Sequence, residues 1–175
     1  GKKEGEGPLA ADFDLINQDD SFGESSWEKA ESTMQRLALQ GALDKAGQAP
    51  SSLDTLFAGD LLNQCIASSF AVRGQDVPFL GLYGACSTMA EGLVLASMTL
   101  DGGFGSWTAA VASSHFCSAE RQYRTPLEYG CQRTPTAQWT VTGAGAVILQ
   151  RMGDGPCITH VTPGKIVDKG VTDTN

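Results

Sequence analysis

The chain has 175 residues, 41% hydrophobic and 18% charged, with a formal net charge of -8. That length suffices for one domain with a real core, while the acidic balance, without a Lys/Arg cluster, argues against nucleic acid or anionic membrane as a partner. No apolar run approaches the roughly 20 residues that span a bilayer, and no signal peptide is visible.

Residues 1–24 read as a charged, glycine-rich loop. Ser25 followed by Glu28 matches a capping box, and Trp27, Ala30, Met34, Leu37 and Ala38 follow at helical spacing. Gly47 is placed to end that helix, which is expected over 26–46. T-L-F-A-G at 55–59 predicts a buried strand, and Asp60 is placed to cap a helix running to about Arg73. F-L-G-L-Y-G at 79–84 predicts a second strand, joined by the tight turn G-A-C-S-T to a helix over 87–101. Strands are expected at 107–113 and 141–150, with polar, irregular chain over 114–138 between them. A fifth strand is expected from Cys157, paired with the fourth as a hairpin through Gly153–Pro156. Strands alternating with helices predict an α/β fold: a mostly parallel five-stranded sheet with helices on both faces.

The five cysteines, Cys65, Cys86, Cys117, Cys131 and Cys157, are odd in number and show no C-x-x-C spacing. Neither a disulfide framework nor a structural zinc site is expected, and reduced thiols in a non-secreted protein are the default. The opening loop and the stop at Thr174-Asn175 read as a piece of a longer chain.

Cys86 is the sharpest feature. It lies where an apolar strand turns into a helix, at the carboxyl edge where open α/β sheets place ligands. A helix start carries free N–H groups and about half a positive charge, which lower a thiol's pKa and hold anions. The competing reading is a buried structural cysteine. Asp60, with Asn63 one turn on, follows the first strand at the same edge. It is placed to bind a metal, to accept a ligand hydrogen bond, or only to cap its helix. Ser113, Ser114 and His115 follow the third strand there, and the histidine is either a base for Cys86 or a hydrogen-bonded structural residue. Arg121, Tyr123 and Arg124 suit a carboxylate ligand or pairing with Glu120 and Glu128. V-T-G-A-G-A-V at 141–147 lacks the lysine and following helix of a phosphate loop, so its glycines are read as close-packing positions.

The order strand, G-A-C-S-T, helix, strand, polar loop, T-G-A-G-A-V-I-L resembles the thiolase superfamily. Longer strings narrow this: A-G-D-L-L-N-Q, F-L-G-L-Y-G-A-C-S-T-M, D-G-G-F, S-S-H-F-C-S-A-E-R-Q and T-V-T-G-A-G-A-V. Together with G-K-K-E-G-E-G-P-L they look like the stage V sporulation protein AD family of endospore formers, from end to end of the chain.

The resemblance implies a thiolase-like fold of two similar halves, with residues 1–175 forming most of the N-terminal half and a central first strand preceding G-K-K-E-G. It implies a non-catalytic protein that binds dipicolinic acid or its calcium chelate and acts in loading the developing spore. It also implies membrane-protein partners from the same sporulation operon, a homodimer when full length, and residence in a spore-forming cell, soluble or peripheral at the spore inner membrane. No resident cofactor or metal is implied, calcium entering only with the ligand. Cys86 falls on the thiolase nucleophile position. The expected ligand-binding set is Cys86, Ser87, Asp60, Asn63, Ser114 and His115. The alternative is an acyltransferase of the thiolase or ketoacyl-synthase type that uses Cys86 as nucleophile.

Overall fold

A computed structural model describes residues 1–61, 64–119 and 140–172. Its core is a four-stranded sheet in the order β2-β1-β3-β4, with β1 at Thr55–Asp60, β2 at Phe79–Gly81, β3 at Trp107–Ser114 and β4 at Gly143–Gln150. β1 runs parallel to β2 and to β3, and β4 is antiparallel to β3. The expected fifth strand is not formed: residues 157–166 carry no regular structure and are exposed. The expected hairpin is replaced by an eight-residue antiparallel ladder between β4 and β3. β4 pairs with β3 because its apolar positions Ala146 and Ile148 face the same core as Ala109 and Val111.

β1 and β3 pair directly over six positions, from Thr55 opposite Thr108 to Asp60 opposite Ser113. No gap separates them, so both have satisfied inner edges. At the start of this ladder the exposed Asp54 carboxylate accepts from Ser106 N at 2.6 Å and Trp107 N at 3.0 Å, and Asp54 N donates to Trp107 O at 2.8 Å.

Side chains alternate across the sheet. Leu56 and Ala58 of β1 and Ala109 and Val111 of β3 face α1 (Trp27–Ala46), packing with Leu39 and Leu43. Phe57 of β1 faces the opposite way, onto Leu82 and onto Ala96 of the helix at Thr88–Asp101, α3. The short helix at Ile66–Ala71, α2, joins α1 on its side, so helices cover both faces.

α1 starts one residue later than expected. Its cap is Ser26, whose Oγ accepts from Lys29 N at 3.3 Å. It ends at Gly47, in the left-handed conformation, with Gly47 N bonded to Asp44 O and Gln48 N to Leu43 O. Its buried stripe also differs from the expected one. Trp27 and Leu37 are 40% exposed, whereas Glu31 and Gln35 are buried, because the 31–35–39–43 ridge is the one that meets the sheet. α2 starts later than expected because Gln64 and Cys65 both take positive φ, which a helix cannot use.

The amides of Trp107 and Ser106 hold the Asp54 carboxyl below its ordinary value of 3.8. A carboxyl lowered by folding stabilises fully above its unfolded value and less as pH falls through the folded one. Asp54→Ala should therefore lower the urea midpoint at neutral pH, and its gap from wild type should narrow below about pH 4.

Candidate functional site

Three strand ends define one edge. β1 ends at Asp60, β3 at Ser114, and β2 leads through Leu82–Gly84 into a 3-10 turn at Ala85–Ser87 that runs directly into α3. Cys86 sits in that turn, exposed, as a free thiol. The preceding Ala85 has φ +47, a left-handed conformation unusual for alanine and of the kind stored at functional turns. Within the turn, Ser87 N and Thr88 N donate to the carbonyls of Gly84 and Ala85, Ser87 Oγ donates to Gly84 O at 2.7 Å, and Thr88 Oγ1 to Ala85 O at 2.8 Å. The turn thus extends the helix start back by one loop, and its unpaired amide end moves to the residues around Cys86. Glu91 is in the first turn of α3, and its Oε2 lies against Gly84. A negative charge there complements the helix dipole.

The turn rests on β1 through Gly59. A Cβ at Gly59 would collide with Leu82 O and lie 2.6 Å from Thr88 Cγ2. Leu82 N donates to Ala58 O at 2.9 Å, continuing the β1–β2 ladder. Sequence reading passed over Gly59. Its only signal was a glycine in a strand next to the motif.

A buried polar chain occupies the other face of the same edge. Gln35 Nε2 donates to Ser68 Oγ at 3.0 Å, to Ser113 Oγ at 2.7 Å and to Gly59 O at 3.2 Å. Ser68 Oγ donates on to Asp60 Oδ2 at 3.0 Å, and Ser113 Oγ to Glu31 Oε1 at 2.7 Å. Two fully buried carboxyl groups are thus joined through one carboxamide. Asp60 Oδ2 also accepts from Ser68 N at 3.2 Å, so Asp60 caps α2, while its buried Oδ1 has no hydrogen-bond partner. The clue missed in the sequence was polar residues at i and i+4, Glu31 and Gln35, beside the apolar positions Ala30 and Met34.

The strand alternation sorts the expected residues. Asp60 and Ser113 are on the α1 face, in register with each other. Ser114 is on the α3 face with the Cys86 turn, and its buried Oγ has no hydrogen-bond partner. His115 is fully buried, 5.3 Å from the Trp27 ring and 5.6 Å from that of Phe116 between centroids. Its Nε2 lies 2.9 Å from Asp20 O, and its Nδ1 3.1 Å from Cys117 N. A carbonyl only accepts and an amide only donates, so Nε2 carries the proton and Nδ1 accepts. Through Nδ1 the ring caps the single-turn helix at Phe116–Ala119, α4. Asn63, Glu120, Arg121, Tyr123, Arg124, Glu128 and Cys131 lie outside the described residues. Of the cysteines, Cys65, Cys86 and Cys157 are free thiols. Among the described residues no group of three or more His, Cys, Asp or Glu is placed to hold a metal. Among them, too, no helix is long and apolar enough to cross a membrane.

A mostly parallel sheet clad on both faces, with a cysteine turn leading into the helix on one of them, defines a thiolase-like fold. The chain superposes with TM-score 0.55 on the priming β-ketosynthase of the R1128 polyketide pathway, over 72% of this chain and 36% of that one, at 19% identity. It superposes with TM-score 0.51 on 3-oxoacyl-[acyl-carrier-protein] synthase III from Aquifex aeolicus VF5, over 70% of this chain and 39% of that one, at 21% identity. With a variant of Xanthomonas campestris OleA the TM-score is 0.53, over 69% and 40%, at 18% identity. The chain itself belongs to the Stage V sporulation protein AD (SpoVAD) family, whose profile matches residues 1–175. It is 43% identical over 173 residues to stage V sporulation protein AD of Bacillus subtilis (strain 168), covering 99% of this chain and 51% of that protein. The chain thus spans about half the length of this curated relative, a sporulation protein of a spore-forming cell.

Two substitutions test the geometry. Gly59→Ala sets a methyl against backbone that cannot swing away, and should cost about 1–3 kcal/mol of unfolding free energy in urea melts. Gln35→Met keeps the volume but strips the donors from Ser68, Ser113 and Gly59. It should cost about 2–4 kcal/mol in the same assay.

Proposed function

We propose that the protein to which this chain belongs binds dipicolinic acid as its calcium chelate, without catalysis, during loading of the developing spore, and that the Cys86 turn contributes to the site. The observation that carries this reading is the exposed Cys86 turn at the carboxyl edge of the sheet, in a chain of the sporulation family. Ser87 lies in the same turn and Ser114 on the same face. The amide end of the turn suits one ligand carboxylate. The Glu91 carboxylate beside it disfavours a free dianion and favours a calcium-neutralised one, since calcium takes oxygen ligands. Asp60 and His115 hold neighbouring elements of the edge, as the cap of α2 and the cap of α4. Membrane proteins of the same operon and a second copy of the full-length protein are the partners this reading implies.

Both His115 nitrogens are committed to backbone groups, so His115 is not the base that acyl transfer from Cys86 would need. The exposed thiol favours an acyltransferase. Isothermal titration of the intact protein decides between them. Calcium dipicolinate should bind more tightly than dipicolinate alone, and Cys86→Ala should weaken it about fivefold or more, the loss of one good contact. Absence of heat at millimolar ligand in both forms would reject the reading. A stable acyl adduct after incubation with acyl-CoA, lost in Cys86→Ser, would replace it with the enzyme.

A further inference from the structure

Cys65 is a second free cysteine at the same edge, and the binding reading gives it no part. It precedes α2 with φ +66, following Gln64 at φ +52. Two consecutive left-handed non-glycine residues are costly and persist only where their surroundings hold them. Here the Cys65 carbonyl accepts from Ser69 N at 2.9 Å and Ser69 Oγ at 2.6 Å, and the side chain turns away toward β2. Its Sγ donates to Leu82 O at 3.0 Å. Gly81 makes room for that approach, since a Cβ there would stand 3.2 Å from the sulfur. Leu82 O is also the carbonyl that abuts Gly59, and Leu82 is the residue from which the chain leaves β2 for the Cys86 turn.

We infer that Cys65 is a positioning residue for the Cys86 turn: its thiol anchors the Leu82 carbonyl and ties the start of α2 to the chain entering α3. A donor is required, because a carbonyl oxygen only accepts. Burial, together with the Asp60 and Glu91 carboxylates, pushes the Cys65 thiol up from its ordinary value, so the sulfur keeps its proton and the bond its donor. The two cysteines therefore divide their roles. Cys86 presents its sulfur to solvent, and Cys65 commits its own to the loop beneath.

The functional consequence rests on the proposed site at Cys86, but the anchoring itself is tested without ligand. Hydrogen exchange is measured on the intact protein for wild type, Cys65→Ala and Cys65→Ser. In Cys65→Ala, amides of the 82–90 peptide should exchange about fivefold faster, the factor that losing one hydrogen bond gives to local opening. Peptides from α1 and β3 should be unchanged. Cys65→Ser, which restores a donor, should return the 82–90 peptide to near the wild-type rate. Unchanged exchange in Cys65→Ala, an equal increase across all peptides, or failure of Cys65→Ser to restore protection would each overturn the inference. A protein that passes this test and binds no dipicolinate leaves the anchor standing and removes the ligand.

Discussion

The arrangement at the carboxyl edge depends on one absent methyl group. Gly59 is the position on β1 where the chain leaving β2 and the first turn of α3 press against the sheet, with Leu82 O and Thr88 Cγ2 occupying the space of a side chain. Interiors packed at crystal density do not yield to a new atom of that size, least of all when the neighbour is backbone. This contact sets how closely α3 can dock, and docking places Cys86 at the surface while Thr88, two residues on, is buried. The left-handed Ala85 belongs to the same constraint, since the chain must reverse within a few residues to enter the helix.

The opposite face of that edge is held by polarity. The chain from Asp60 through Ser68, Gln35 and Ser113 to Glu31 is directional: the carboxamide donates outward to both hydroxyls and each hydroxyl donates on to a carboxylate. Such a network is costly to bury and stabilises little if one member is removed, so it favours a single arrangement of α1, α2, β1 and β3. Gly59 contributes to both faces, its missing side chain on one and its carbonyl, accepting from Gln35, on the other. The two halves of the edge are mechanically one object.

This division sorts the polar residues of the edge onto two separate faces. The strand alternation directs Asp60 to the α1 face, away from the Cys86 turn, and His115 is closed into a ring stack and two backbone hydrogen bonds. Ser87, Ser114 and the Glu91 carboxylate share the α3 face with the thiol.

Among the described residues, local pattern was enough to locate α1, α2, α3 and β1 to β4, because burial periodicity and turn glycines are written in consecutive residues. The strings around Cys86 were enough to place the chain in its family, and the strand-to-helix step put the thiol at a sheet edge. Other features were settled only in three dimensions. β4 joined β3 in place of a fifth strand because the α1 core accepted Ala146 and Ile148, a choice among partners that no single segment encodes. Trp27 and Leu37 gave way to Glu31 and Gln35 because the helix ridge facing the sheet is chosen by the whole interface. The uses of Gly59, Cys65 and His115 likewise depend on atoms brought from distant positions, and a carbonyl or a missing Cβ leaves no mark in the local sequence by which its partner can be named.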